Sequence, residues 1–120
     1  MKTALHVRTN GDILETDLEP NSLQALQFAV NGLVQAIDID EFTMWCNDEG
    51  KILNLPHNPF GQALWTYRYG NTDYIVGDVV ITGGTDAEGE TLGLTRSQVQ
   101  RLRTVAQAVR HYVEPHIEVL

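Results

Sequence analysis

The sequence predicts an α+β domain, a mostly antiparallel sheet with two packed helices at about 21–31 and 96–112. Three observations predict it. Short runs in the first half of the chain carry apolar residues at every second position and are separated by turn residues such as Asn10-Gly11, which is the signature of half-buried strands. Two stretches, opening near Asn21 and at Thr95, instead space their apolar residues three and four apart behind a capping side chain, as amphipathic helices do. A chain of 120 residues, 42% of them hydrophobic, suits a single domain around its own core.

The elements follow in order. Thr3 to Arg8 alternates with Leu5 and Val7 on one face, and Leu14, Thr16 and Leu18 resume the alternation after Asn10-Gly11, so the first eighteen residues read as a hairpin. Glu19-Pro20-Asn21-Ser22 ends the strand and caps a helix at Asn21 or Ser22. Leu23, Leu26 and Val30 lie near its sheet-facing side, and Asn31-Gly32 supplies a left-handed C-terminal stop. Leu33–Ile39 and Glu41–Cys46 read as the third and fourth strands. The turn Asn47-Asp48-Glu49-Gly50 is expected to return the chain as a short strand over Lys51–Leu55. Two prolines bracket Leu55-Pro56-His57-Asn58-Pro59 and take the chain out of the sheet. Phe60–Tyr69 reads as a short helix or, for Ala63–Tyr69, as a strand that would align Trp65, Tyr67 and Tyr69 on one face. Tyr74–Thr82 is one strand kinked at Gly77-Asp78 or two strands around a turn. A glycine-rich loop follows, and then the final helix, with Leu102, Val105, Ala106 and Val109 as its apolar stripe and Pro115 as its end. Residues 113–120 are expected to form a mobile tail.

Composition bounds the function. Sixteen acidic against eight basic residues give a net charge of −8, which disfavours direct contact with nucleic-acid phosphates and suits a basic partner or simple solubility. The single cysteine excludes an internal disulfide and a cysteine-rich zinc site. Residues 1–10 have no signal-peptide character, and no apolar run has the length of a membrane span. The expected setting is the cytoplasm of a bacterium, or of a bacterial host for something that replicates inside it.

Several strings then arrive in a recognisable order. They are Trp45-Cys46-Asn47-Asp48-Glu49-Gly50-Lys51 with Leu55-Pro56-His57-Asn58-Pro59, Ile75-Val76-Gly77-Asp78-Val79-Val80-Ile81-Thr82-Gly83-Gly84, and Gly93-Leu94-Thr95. Together they resemble a family of small uncharacterised proteins of phages, plasmids and actinobacteria, catalogued as a domain of unknown function. The resemblance covers nearly the whole chain up to about Thr95. It implies a phage or mobile-element context and brings no established activity, so no catalytic residue is carried over. The family pattern often has alanine after the Asn-Pro step, where this chain has Phe60-Gly61-Gln62 before Ala63.

The residues that could carry function each have a plain alternative. Cys46 could be a nucleophile beside His57 or Asp48, but acidic neighbours raise a thiol's pKa, and a packing role is the default. Asp48 and Glu49 could hold a metal with His57 or Asp78, yet a hard cation needs more converging oxygens, and a solvated turn explains the pair. The histidines show no metal-ligand spacing. Asn47, Asn58 and the Thr82-Gly83-Gly84 turn could bind a small polar ligand through amides; a strand-ending loop, and an asparagine that locks its own loop, are the structural alternatives. Trp45, Trp65, Tyr67 and Tyr69 could form one aromatic contact surface or complete the core. Asn47, Asp48, His57 and Asn58 are expected to converge if Pro56 folds its loop back over the sheet. The final helix holds four of the eight basic residues, a solvated face or a means of pairing with an acidic body.

The leading expectation is a non-enzymatic accessory protein of phage or mobile-element type that binds a host protein through an acidic or aromatic surface. A small-molecule or nucleotide-sequestering module is the alternative, and a hydrolase or transferase using Asp48, Glu49 or Cys46 the weakest. The binding residues are expected among Trp45, Asn47, Asp48, His57, Asn58, Trp65, Thr82, Gly83 and Gly84, with no catalytic set, metal or cofactor. The expected partners are a host protein or a small polar ligand, without membrane contact, in a homodimer built on the last helix or a sheet edge.

Overall fold

A computed structural model describes residues 1–119, with side chains up to His111. It is an α+β fold with the element order β1 (Thr3–Val7), β2 (Ile13–Asp17), α1 (Ser22–Val30), β3 (Val34–Ile39), β4 (Phe42–Asn47), α2 (Pro59–Tyr69), β5 (Val79–Gly83) and α3 (Arg96–Val119). The five strands form one sheet in the order β2-β1-β5-β4-β3, and every pairing is antiparallel. Two local hairpins, β1–β2 and β3–β4, are thus joined by β5 between them. No helix among the described residues is long and apolar enough to cross a membrane.

The sheet separates two cores. On one face Leu5, Val7, Ile37, Met44, Cys46, Val79 and Ile81 meet Phe60 and Leu64 of α2 and Val99 and Leu102 of α3. On the other, Ala4, Leu18 and Val80 meet Leu26 and Val30 of α1, with Val34 and Trp45 at the margin. A nine-residue helix is too short to persist alone. What holds α1 is the burial of Leu26 and Val30, each contributing about 1.5–3 kcal/mol, and its two caps. The Asn21 side chain accepts the Gln24 amide, and Asn31 ends the helix at φ 60° in the left-handed region. Leu23, expected toward the sheet, is exposed, because Ala25, Leu26, Ala29 and Val30 take that face.

Three other expectations change, at Lys51–Leu55, Val105 and Pro115, and the open choice at Ala63–Tyr69 falls to the helix. Lys51–Leu55 is not a strand but a set of turns, with the Leu53 amide on Glu49 O, Asn54 on Lys51 O and Leu55 on Gly50 O. β4 already has β3 on one edge and β5 on the other, so no edge remains for a returning strand. Ala63–Tyr69 is helical: Asn58 caps α2 through Gly61 N–H and Pro59 occupies the first turn, the position where a missing N–H costs nothing. Gly61 serves that helix, because a Cβ there would lie 2.8 Å from the Ile75 side chain. In α3 the inward stripe is Val99, Leu102 and Ala106, while Val105 is 36% exposed. α3 also runs past Pro115 to Val119. The expected tail at 113–120 lies outside the described side chains.

The segment before β5 is neither one kinked strand nor two strands, because only its second half pairs as a strand. Val79–Gly83 joins the sheet, whereas Val76 bridges to His57 and Gly77 turns the chain at φ 77°.

Candidate functional site

The nine candidate residues fall in three places. Trp45, Thr82, Gly83 and Gly84 meet on the α1 side of the sheet, because β4 and β5 are neighbours there. Asn47, Asp48 and Trp65 line a hollow of about 370 Å³ on the opposite side, with Cys46, Gln35 and Ile37. His57 and Asn58 lie in the loop that starts α2. The expected convergence of Asn47, Asp48, His57 and Asn58 does not occur: Asn47, His57 and Asn58 are each held by partners of their own, and Asp48 is an exposed turn residue.

Asn58 is a lock. Its side chain is fully buried; Nδ2 donates to the Val7 carbonyl at 3.1 Å and the Gly77 carbonyl at 2.9 Å, and Oδ1 accepts the Gly61 amide at 3.0 Å. One asparagine thereby ties β1, the turn before β5 and α2 together. Asn47 does the same at the other end of the sheet. Its Nδ2 donates to the Val30 carbonyl at 3.1 Å and its Oδ1 accepts the Glu49 amide at 2.8 Å, closing the end of α1. Gly32 has no Cβ because one would stand 2.7 Å from that Nδ2. Both amides are spent within the fold and offer a ligand little. His57 bonds Gln62 at 3.2 Å, and Asp48 is an exposed turn residue.

The set weighed for a metal is dispersed as well. Asp78 takes His6 at 2.8 Å and the Thr9 amide at 3.2 Å, a pair separated by 72 positions that no sequence spacing announces. Among the described residues no group of three or more His, Cys, Asp or Glu is placed to hold a metal. Cys46 sits at the wall of the hollow with its Sγ 3.9 Å from Gln35 Oε1. Burial first, and the Asp48 charge second, push its thiol up to about 11, so it stays protonated and weakly nucleophilic at neutral pH. Lys51 is held by Asp73, which draws that carboxyl below its ordinary range, and lies 4.4 Å from the Tyr74 ring.

The aromatic residues divide between the faces. Trp65 and Tyr69, one turn apart on α2, pack with ring centres 4.4 Å apart, and Tyr67 points away into solvent. Of the four candidate aromatics, Trp45 alone lies on the other side. Its indole N–H donates to Thr82 Oγ1 at 2.9 Å, and Thr82 donates in turn to the Gly83 carbonyl. Thr82 is fully buried, so it fixes the indole of a half-buried tryptophan.

That indole stands in a hollow of this face. α1 is short and covers only part of the sheet, leaving an open groove of about 900 Å³ whose walls include Ala36, Asp38, Thr43, Trp45, Gly84 and Thr85. Asp40 and Glu41 stand at its rim, paired with Arg68 at 3.2 Å and with Arg101. The Asp38 carboxylate has no ion pair among the described residues. Gly83 and Gly84 play separate parts. A Cβ on Gly83 would come within 2.9–3.0 Å of the Gly93 and Leu92 carbonyls, whereas at Gly84 the nearest atom is 3.5 Å away. Gly83 therefore lets the 91–94 segment lie against the sheet, and the Gly84 carbonyl takes the Leu92 amide. Ala36, Asp38 and Thr43 are groove residues outside the nine candidates; the alternation in Val34–Ile39 puts Ala36 and Asp38 on one face but does not say that the face is open.

No curated protein and no solved structure matches the chain. One family does, over residues 1–107. The chain belongs to the family described as Domain of unknown function (DUF3846).

Proposed function

We propose that this protein is a non-catalytic binding module, an accessory protein of phage or mobile-element type that engages a basic host protein in the bacterial cytoplasm. The observation that carries the reading is Trp45, held by Thr82 in an open groove beside Asp38. A pre-oriented aromatic ring with an uncompensated carboxylate at its side is the kind of feature that anchors a protein contact. The net charge of −8 favours a basic partner and speeds its encounter. A host site that normally receives nucleic acid has that character, and occupying it is the simplest way such a protein acts.

The alternative, a ligand-sequestering or nucleotide-binding module, would use the hollow beside Cys46 or the Thr82-Gly83-Gly84 turn. It is less well supported, because the Asn47 and Asn58 amides are committed to the fold and the Gly83 backbone is packed under residues 92–93. α3 spends Val99, Leu102 and Ala106 on the core, so a homodimer would use a sheet edge.

The test is capture from host lysate followed by reconstitution of each retained protein in purified form. Asp38→Lys and Thr43→Lys place cations in the groove. Each is expected to weaken the true partner at least tenfold, and raising salt is expected to weaken the wild-type complex. A partner indifferent to both substitutions and to salt would remove the groove from the account.

A further inference from the structure

β3 is an outer strand, and its hydrogen-bonding phase decides what its free side offers. The Asp48 amide donates to the Leu33 carbonyl at 2.8 Å, in the register that pairs Val34 with Asn47. Bonded and non-bonded positions alternate along an antiparallel ladder. Leu33, Gln35, Ile37 and Ile39 therefore turn their backbone groups toward β4, and Val34, Ala36 and Asp38 turn theirs outward. Tyr69 corroborates this phase: its hydroxyl reaches from α2 and donates to the Asp38 carbonyl at 2.6 Å, closing one end of the edge. Among the described residues no loop or side chain bonds the other outward groups, which are the N–H and C=O of Val34 and Ala36 and the N–H of Asp38.

We propose that this edge receives an extended, basic segment of the partner protein as a sixth strand. The proposal rests on the protein-binding reading above and names its mode and chemistry. Strand addition joins backbone hydrogen bonds with pockets for alternate side chains, and β3 has a hollow on each face. Residues of the incoming strand would fall alternately over the Ala36–Trp45 groove and over the hollow beside Gln35 and Cys46. Ala36, opposite Trp45 in the register, is small enough to leave the indole open from the edge.

Charge selects the occupant. Residues 9–50, which span β2 to β4, contain no Lys or Arg. Asp38 at one end of the edge and Asp48 and Glu49 at the other are exposed. A second copy set antiparallel on this edge would bring Asp38 of one chain toward Asp48 and Glu49 of the other, which like charges oppose, because the nearby cations Lys51 and Arg68 are already paired with Asp73 and Asp40. The other outer strand, β2, differs: its Glu15 is engaged by Arg96 and Arg103 of α3.

The experiment uses the full chain and an acetylated, amidated hexapeptide of alternating valine and arginine. Amide hydrogen exchange followed by NMR reads the edge, and calorimetry reads affinity. Saturating peptide is expected to slow exchange at Val34, Ala36 and Asp38 at least tenfold and leave Ile13, Glu15 and Asp17 unchanged. Replacing arginine by glutamate in the peptide, or methylating its alternate amide nitrogens, is expected to weaken binding at least tenfold. Ala36→Pro removes an outward N–H without removing a β4 bond and is expected to have the same effect; the methylated peptide makes the same test on unaltered protein. Binding that leaves the three amides unprotected, or that survives methylation, overturns strand addition while the acidic-groove reading stands. Protection already present in the free protein and rising with its concentration assigns the edge to a second copy and overturns the proposal. Absence of peptide binding overturns it too, and the earlier reading then survives only if Asp38→Lys still weakens a captured partner.

Discussion

Replacing Asn58 by alanine tests the lock at the start of α2. The substitution removes the cap on Gly61 N–H and leaves the Val7 and Gly77 carbonyls without their donor. Loss of an N-cap costs about 1 kcal/mol. Each buried carbonyl left unsatisfied costs about 1–2 kcal/mol, at the lower end of the range for a buried polar group because a carbonyl has two lone pairs and some freedom to relax. The sum is about 3–5 kcal/mol, a large part of the stability of an ordinary domain. For a chain of this size that lowers Tm by roughly 10–20 °C. Urea unfolding followed by circular dichroism measures it, with the slope unchanged if both states keep their compactness. Asn58→Asp keeps the cap acceptor and loses both donors, so it should resemble the alanine variant. Asn21→Ala removes only an exposed cap and should cost about 1 kcal/mol. An Asn58→Asp protein as stable as wild type, or an Asn58→Ala protein no worse than Asn21→Ala, would show that the two carbonyl bonds do not brace the fold.

Neighbouring glycines should respond differently: Gly83→Ala forces a Cβ against two backbone carbonyls and should cost about 1–3 kcal/mol, while Gly84→Ala should stay within about 0.5 kcal/mol of wild type by the same urea titration. Cys46 makes stability fall in alkali. Its thiol titrates near 9.0 in the reference state and about 11 in the fold, so between those values the folded protein keeps a proton that the unfolded chain releases, and rising pH favours unfolding by about 1–3 kcal/mol across the window. Comparing Cys46→Ala with wild type from pH 8 to 11 should show the stability gap shrinking or reversing, and equal pH slopes would contradict the assignment. Thr82→Val removes the acceptor of the Trp45 indole; hydrogen exchange at that indole N–H should quicken while the Trp65 indole, bonded to Thr72, is unchanged, with a loss of about 1 kcal/mol.

Where local chemistry decides an element, the sequence shows it. Asn21 and Asn31 bound α1 by the capping roles their side chains and left-handed tolerance allow, and alternation marks β1, β3 and β4. Lys51–Leu55 has the look of a strand but no free edge to join, and the occupation of both edges of β4 depends on β5, more than thirty residues away from β4. The spacing of Trp65, Tyr67 and Tyr69 satisfies period two, yet Asn58-Pro59 starts a helix that sends Tyr67 to the other side. The site is legible to a similar degree. Trp45, Thr82, Gly83 and Gly84 could be named as residue types, but their meeting required β4 and β5 to be neighbours. Asn47 and Asn58 could be singled out, but only the positions of the Val30, Val7 and Gly77 carbonyls turn them into braces.

The placement of β5 between two hairpins also sets an order of events during synthesis. β1–β2 and β3–β4 close over short distances along the chain, so each can form soon after it leaves the ribosome. β5 must then pair with β1, with Leu5 opposite Ile81, and with β4, with Met44 opposite Ile81. Until Val79–Gly83 arrives, β1 and β4 each present an unpaired side, and the first core still lacks Val79, Ile81 and the α3 residues Val99 and Leu102. The commitment to the native state therefore belongs to a late, long-range step, whose loop-closure cost slows it. Nascent chains that stall before that strand expose the surfaces from which aggregation starts.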